Sequence, residues 1–289
     1  MMTRSALILI SALFVLSVPS IRCDAGVEPS PVRAKILTDV SAIKLGSAFE
    51  LAVLFEMDPD WHIYWKNPGD SGLPTSVEFG LPEGFEVGDI KWPVPSLLKG
   101  AGNLTDYGYE DTLLLSARVT ASSGLKSGST VTLAAKVSWI SCKDICIPGK
   151  TELHLKLPVS DKPVSVNSDL FASWRPRLPV SYPAAGLPFK IGVKTANKSE
   201  NEFTVSLLLQ NVDGVSGIDL YPFPGNSFLV DNIVVEKSKT GGETSVNFDV
   251  KRLVSKVPAP GELETLIVYK DRTGKRSGVV FPIKIRNAE

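Results

Sequence analysis

Apolar and polar side chains alternate with a period of two through most of this chain. Ala48–Phe55 and the run Glu152-Leu153-His154-Leu155-Lys156-Leu157 show it most cleanly. Alternation of that kind puts every second side chain on one face of an extended strand, one face apolar and the other wet. Thr112–Val119 and Thr130–Trp139 read the same way. Gly124, Ser127-Gly128 and Pro148-Gly149 supply turns between the runs. No long stretch repeats with a helical period. The pattern predicts an all-β protein built as an antiparallel sandwich.

The character changes between Pro158 and Pro188. Prolines at 158, 163, 176, 179, 183 and 188 interrupt any strand, and Asn167-Ser168-Asp169 offers a start for a short helix through Trp174, stopped by Pro176. This stretch reads as an interdomain connector. Strand-like runs resume after Phe189: Lys190–Val193, Phe203–Leu209, Ser227–Val235, Thr244–Val250, Glu264–Tyr269 and Ser277–Ile285. They predict a second sandwich of roughly a hundred residues, a usual size for the class. It holds no cysteine and no histidine, and reads as a spacer or docking module.

The first residues read as an export signal. Arg4 gives a positive start, Ala6–Val18 is apolar but too short to span a bilayer, and small residues follow. Cleavage after Ser20 or Ala25 satisfies the small-residue rule, so Cys23 is either removed or left at the extreme N-terminus. Arg22 directly before Cys23 argues against a lipid anchor there. Removal of residues 1–25 takes away Arg4, Arg22 and Asp24 from the 31 basic and 31 acidic residues and leaves a net charge of about −1. That balance has no footprint for nucleic acid or an anionic membrane. No later stretch is apolar enough for a transmembrane helix, so no direct membrane insertion is expected after cleavage. The expected setting is an oxidising compartment where disulfides persist.

Within the predicted mature chain reactive chemistry is sparse: two histidines, no nucleophile motif, no phosphate loop. The exception is Cys142 and Cys146, in Ser141-Cys142-Lys143-Asp144-Ile145-Cys146-Ile147. Four extended steps cover about 13 Å, whereas a disulfide needs Cα atoms within about 7 Å. If the two bond to each other, the chain folds back between them, through a helical turn or a tight hairpin. The incoming strand is expected to end near Trp139 and the outgoing one to begin near Thr151. A loop this short yields only about 2 kcal/mol of chain-entropy stabilisation, against about 3 kcal/mol for fifteen residues. Spacing alone leaves a hairpin staple and a redox couple evenly matched. Lys143 favours a thiolate and Asp144 opposes it. Trp139 and Ile147 are placed to shield the loop, and Cys142, next to the strand end, is the expected partner-facing thiol. Copper or zinc held by the pair with His62 or His154 is a further alternative, although His154 sits on the polar face of its strand and His62 in an aromatic cluster. Met57 is the one methionine beyond the signal. Nothing in the pattern calls for a cofactor.

Four motifs occur in order: Trp61-His62-Ile63-Tyr64-Trp65-Lys66-Asn67-Pro68-Gly69-Asp70-Ser71-Gly72-Leu73-Pro74, Ile90-Lys91-Trp92-Pro93, Tyr107-Gly108-Tyr109-Glu110 and Trp139–Gly149. The set resembles the periplasmic N-terminal domain of DsbD-type disulfide reductases, and most of all the ScsB branch, whose N-terminal region carries two immunoglobulin-like modules. The resemblance covers roughly residues 30–158. It implies two immunoglobulin-like sandwiches: a redox domain over 27–158, a linker over 159–187 and a second sandwich over 188–289. It implies that Cys142 and Cys146 are a redox couple relaying electrons between a membrane reductase and periplasmic thioredoxin-like oxidoreductases. It also implies a cap loop over the pair, with Asn67–Ser71 and Tyr107–Glu110 as candidates. The sequence shows no Cys-x-x-Cys and no transmembrane bundle, so the implied membrane partner is a separate DsbD/ScsB-like protein. A binding or chaperone-like sandwich, and a copper-handling protein using the same cysteines, stay open beside the relay.

Overall fold

The computed structural model describes residues 30–99, 104–199, 201–225, 228–238, 241–253 and 262–284. The expected export signal over 1–25, with Cys23, lies outside them. Ten strands form the first half: β1 (Val32–Thr38), β2 (Ala48–Met57), β3 (His62–Gly69), β4 (Ser76–Gly80), β5 (Phe85–Val87), β6 (Ser96–Lys99), β7 (Thr105–Glu110), β8 (Thr112–Ala121), β9 (Thr130–Cys142) and β10 (Cys146–Pro158). One sheet runs β1-β2-β8-β5. The other runs β10-β9-β3-β7-β6, with β4 also on β9. The pairings within both sheets are antiparallel. Leu51, Val53 and Phe55 of β2 meet Leu133, Ala135, Val137 and Trp139 of β9 across the core, all of them buried. Trp139 lies edge-on to Phe55 at 5.7 Å between ring centres. Gly149, opposite Trp139 in the register, has no room for a side chain: a Cβ there would lie 2.2 Å from the indole.

The expected helix is present as α1 (Ser168–Trp174), followed by a 3-10 turn over Arg175–Arg177. Its start differs in detail from the sequence expectation. Asn167 adopts a left-handed conformation and its side chain makes no cap; it donates instead to the Thr38 carbonyl at 2.8 Å. Phe171 and Trp174 of α1 are buried in the same apolar cluster as Ala52 and Leu114. The segment expected as a linker is therefore built into the first sandwich. Its backbone also pairs with the 39–43 turn through Ser41 N to Val164 O and Val166 N to Asp39 O, both 2.9 Å.

Eight further strands follow: β11 (Val180–Ser181), β12 (Lys190–Asn197), β13 (Glu202–Gln210), β14 (Ser216–Phe223), β15 (Phe228–Lys237), β16 (Glu243–Arg252), β17 (Glu262–Lys270) and β18 (Arg276–Lys284). They form a second sandwich from sheets β11-β18-β17-β14 and β12-β13-β16-β15. The all-β, two-sandwich reading of the sequence is what the chain adopts. Residues from Pro31 onward cluster as one compact unit, and the reason lies in the joint. Tyr221, Leu266 and Val268 of the second sandwich belong to the apolar cluster of the first. Tyr107 packs on Tyr221 at 4.3 Å between ring centres and Trp65 on Phe223 at 6.2 Å. Around these rings, Lys66 pairs with Glu264, Asn67 Nδ2 donates to the Pro222 carbonyl at 2.6 Å, and Arg276 donates to the Tyr221 hydroxyl at 2.8 Å. Among the described residues no helix is long and apolar enough to cross a membrane.

Candidate functional site: a disulfide closing the β9–β10 hairpin

β9 runs three residues beyond its expected end, to Cys142, and β10 begins five residues before its expected start, at Cys146, so only Lys143-Asp144-Ile145 connects them. Lys143 N donates to Ile145 O at 3.1 Å across the turn. Cys142 and Cys146 are direct register partners. Their Cα atoms lie 4.1 Å apart and their sulfurs are bonded. The tight hairpin, rather than a helical turn, brings the pair within bonding range.

The two sulfurs have unlike surroundings. Cys142 is 4% exposed, whereas Cys146 is exposed, next to Ile145 at 65%. The expectation that Cys142 faces a partner is thus reversed: Cys146 is the open position, and Cys142 is backed by the protein. The backing comes from β3. Tyr64 is buried at 2% exposure, and its hydroxyl donates to Cys142 Sγ at 3.2 Å. Burial raises the Tyr64 pKa, with the Ser71 hydroxyl partly offsetting it.

Trp139 and Ile147 do not shield the pair. Strand parity puts both on the opposite face from Cys142 and Cys146, and Trp139 is a core residue. The cover over Tyr64 comes from the segment following β3. There, Gly72 has φ +74°, and a Cβ on it would sit 2.3 Å from Tyr64 Cζ. The segment is pinned by the buried Asp106, whose carboxylate accepts from Ser71 N at 2.9 Å and from Ser71 Oγ at 2.6 Å. Asp70 adds two bonds to Thr105: its N–H to the carbonyl at 3.0 Å and its carboxylate from the amide at 2.8 Å. Of the two cap candidates, Asn67–Ser71 leads into this cover. Tyr107–Glu110 does not: it lies within strand β7, with Tyr107 and Tyr109 buried. Its glycine is needed because a Cβ at Gly108 would lie 2.4 Å from the Ile63 carbonyl oxygen.

Lys143 is paired with Asp60 at 2.8 Å, which raises its pKa. His62 lies directly beside Cys142 in the register of β3 and β9 and beside Glu110 in the register of β3 and β7. Burial lowers its pKa, and Glu110 and Asp106 pull it back up. His154 is at the exposed surface, 3.7 Å from Glu152. It is eight residues from Cys146 along β10, or about 26 Å at the rise of a strand. Met57 is a core residue at 7% exposure. Among the described residues no three His, Cys, Asp or Glu side chains gather as a metal site. Sequence reasoning missed the roles of Tyr64, Gly72 and Asp106; the spacing Tyr64-x7-Gly72 inside one motif was the available signal.

Fold and site together define a double β-sandwich with a half-buried disulfide at a hairpin end of its first half. Residues 30–158 match the family model described as the N-terminal part of the thiol:disulfide interchange protein DsbD, and this part of the chain is similar to that domain. Among solved structures, the N-terminal periplasmic domain of ScsB from Proteus mirabilis superposes with a TM-score of 0.61 at 17% identity, over 94% of this chain and 97% of that one. That likeness is one of fold and extends over nearly the whole of both chains. BcpA, the major pilin subunit of Bacillus cereus, follows with a TM-score of 0.25 at 12% identity over 88% of this chain and 67% of that one, too low to bear on function. A comparison with curated protein sequences finds no match.

Proposed function

We propose that the chain is an exported thiol–disulfide exchange module of the periplasm, with Cys142 and Cys146 as its redox couple. The observation that carries this is the asymmetry of the bond: one sulfur open to a partner, the other held against a buried hydroxyl. A partner thiolate attacks Cys146 Sγ, the Cys142–Cys146 bond breaks, and Cys142 leaves as a thiolate that the Tyr64 O–H stabilises. A second partner thiolate then attacks the partner's sulfur on Cys146 and releases the reduced pair, two electrons having entered. Delivery to a downstream disulfide reverses these steps. Electrons arrive from a separate DsbD/ScsB-like membrane protein and pass to thioredoxin-like oxidoreductases. Hydrogen bonds to charged sulfur are stronger than those to neutral sulfur, so Tyr64 favours bond opening.

Equilibration against a glutathione series tests the couple. A reduction potential within the range of exchange proteins is the expected result. A bond that stays oxidised far below about −300 mV identifies a structural staple and removes the proposal. In the Cys142→Ser variant the open Cys146 should trap a mixed disulfide with a thioredoxin-like partner, and Cys146→Ser should trap far less.

A further inference from the structure

Four neighbouring strands bring four side chains into a single row. Cys146 on β10 pairs with Cys142 on β9, Cys142 with His62 on β3, and His62 with Glu110 on β7. Register partners in an antiparallel sheet point to the same face, with Cα atoms about 4.5–5.5 Å apart. The row therefore reads disulfide, imidazole, carboxylate, on the face that Tyr64 also occupies two residues along β3. His62 lies edge-on to the Tyr64 ring at 5.2 Å between centres. Its Nε2 is buried and finds no hydrogen-bond partner among the described residues. A buried imidazole nitrogen without a partner is costly, and here it belongs to the register neighbour of the cysteine whose sulfur must change its protonation state.

We propose that His62 is the proton acceptor and donor for the Cys142 sulfur, with Glu110 behind it as the carboxylate that favours the imidazolium. This rests on the exchange function proposed above. While a partner sulfur is bound to Cys146, the Cys142 thiol passes its proton to His62. The Cys142 thiolate attacks Cys146 Sγ, the Cys142–Cys146 bond forms, and the partner sulfur leaves as a thiolate. The pair is oxidised, the partner is reduced by two electrons, and imidazolium returns its proton to solvent or to the leaving sulfur. In the opposite direction His62 supplies the proton to Cys142 as the bond opens. The charged and titratable groups facing the imidazole are Glu110 and Asp106 on β7, Tyr64 on β3 and Cys142 on β9. Lys143, in the turn after β9, is paired with Asp60.

The size of the effect follows from thiol ionisation. A thiol of ordinary pKa is only about 3% thiolate at pH 7, so complete ionisation is worth at most about thirtyfold. The test uses reduced protein and glutathione disulfide, with the Cys146–glutathione adduct followed by quenched-flow mass spectrometry. In His62→Gln the adduct should form at the normal rate but decay about ten- to thirtyfold more slowly at pH 7, with the deficit closing towards pH 9. Glu110→Gln should give the same defect in smaller measure. Decay in His62→Gln that follows the wild-type pH profile overturns the proposal. If the wild-type protein forms no adduct at all, the exchange function falls, and this proposal with it. A measurement on the unaltered protein covers the case of a misfolded variant. In a proton NMR titration the His62 midpoint should move by about half a unit or more between the disulfide and dithiol forms; a His62 midpoint indifferent to the redox state overturns the proposal.

Discussion

Replacing Gly72 by alanine should open the cover over Tyr64 and Cys142. The residue has φ +74°, and an added Cβ would stand 2.3 Å from Cζ, 2.5 Å from Cε1 and 2.6 Å from Cε2 of Tyr64. Carbon atoms not bonded to each other rest about 3.5–4.0 Å apart, so either the ring or the segment retreats by more than 1 Å. Tyr64 is only 2% exposed, whereas Leu73 beside Gly72 is 59% exposed, so the segment is the part that gives way. The left-handed backbone adds about 1–2 kcal/mol for a residue with a Cβ. If opening the cover relieves that strain alone, the open population rises about five- to thirtyfold, at 1.4 kcal/mol per factor of ten. The assay is the rate of reduction of the Cys142–Cys146 bond by dithiothreitol, followed by alkylation. Gly46→Ala is the control: it has φ +65° and nothing within 4 Å of its Cβ. It carries the same backbone cost and should lower stability without changing the rate. A Gly72→Ala protein that is folded, yet reduced no faster than Gly46→Ala, refutes the cover.

Two more predictions concern the second sandwich. All five tryptophans lie between positions 61 and 174, so their fluorescence reports the first sandwich and the segment packed on it. Tyr221→Ala, in the second sandwich, should still lower the tryptophan-monitored unfolding midpoint, since truncating a buried aromatic costs about 3–5 kcal/mol and Tyr221 packs in the first core; an unchanged midpoint would mean that the sandwiches unfold independently. Asp249 is held down to about 2 by hydrogen bonds from Lys198, then Asn232 and Thr204. Its unfolded value is about 3.9, so its contribution is fully present above about pH 4 and is lost as pH falls through about 2. Asp249→Asn should therefore flatten acid unfolding of the second sandwich, and identical acid limbs for the two proteins would count against the ion cluster.

The strands were legible because alternation survives in them. Glu152–Leu157 falls inside β10, Thr112–Val119 inside β8 and Phe203–Leu209 inside β13. Those that escaped notice, such as β4, β6 and β14, are short or carry proline and glycine, so their period is broken. The cysteine pair stood out by its spacing, but the inequality of its sulfurs did not, because burial of Cys142 depends on Tyr64, which is 78 residues away in the chain. Trp139 was misjudged as a shield although its odd position against the even cysteines already placed it on the other face. The row from Cys146 to Glu110 requires the register of four strands at once, which no single stretch of sequence contains. Tyr107–Glu110 was expected as a candidate cap loop, whereas it is part of strand β7 and its glycine serves a close approach to β3.

The joint between the sandwiches bears on where this chain can be cut. The family match stops at residue 158, but Tyr107, Trp65, Phe171 and Trp174 share a buried apolar interior with Tyr221, Leu266 and Val268. A fragment severed after Pro158 would carry the whole hairpin and its disulfide, and it would present a raw aromatic wall to solvent, stripped of α1 on one side and of β14 and β17 on the other. The stretch that kinship recognises is shorter than the stretch that excludes water. β3 makes the mismatch acute: it carries Tyr64 against the sulfur and, one residue later, Trp65 into the shared interior, so damage at the cut edge would reach the chemistry through the next peptide bond.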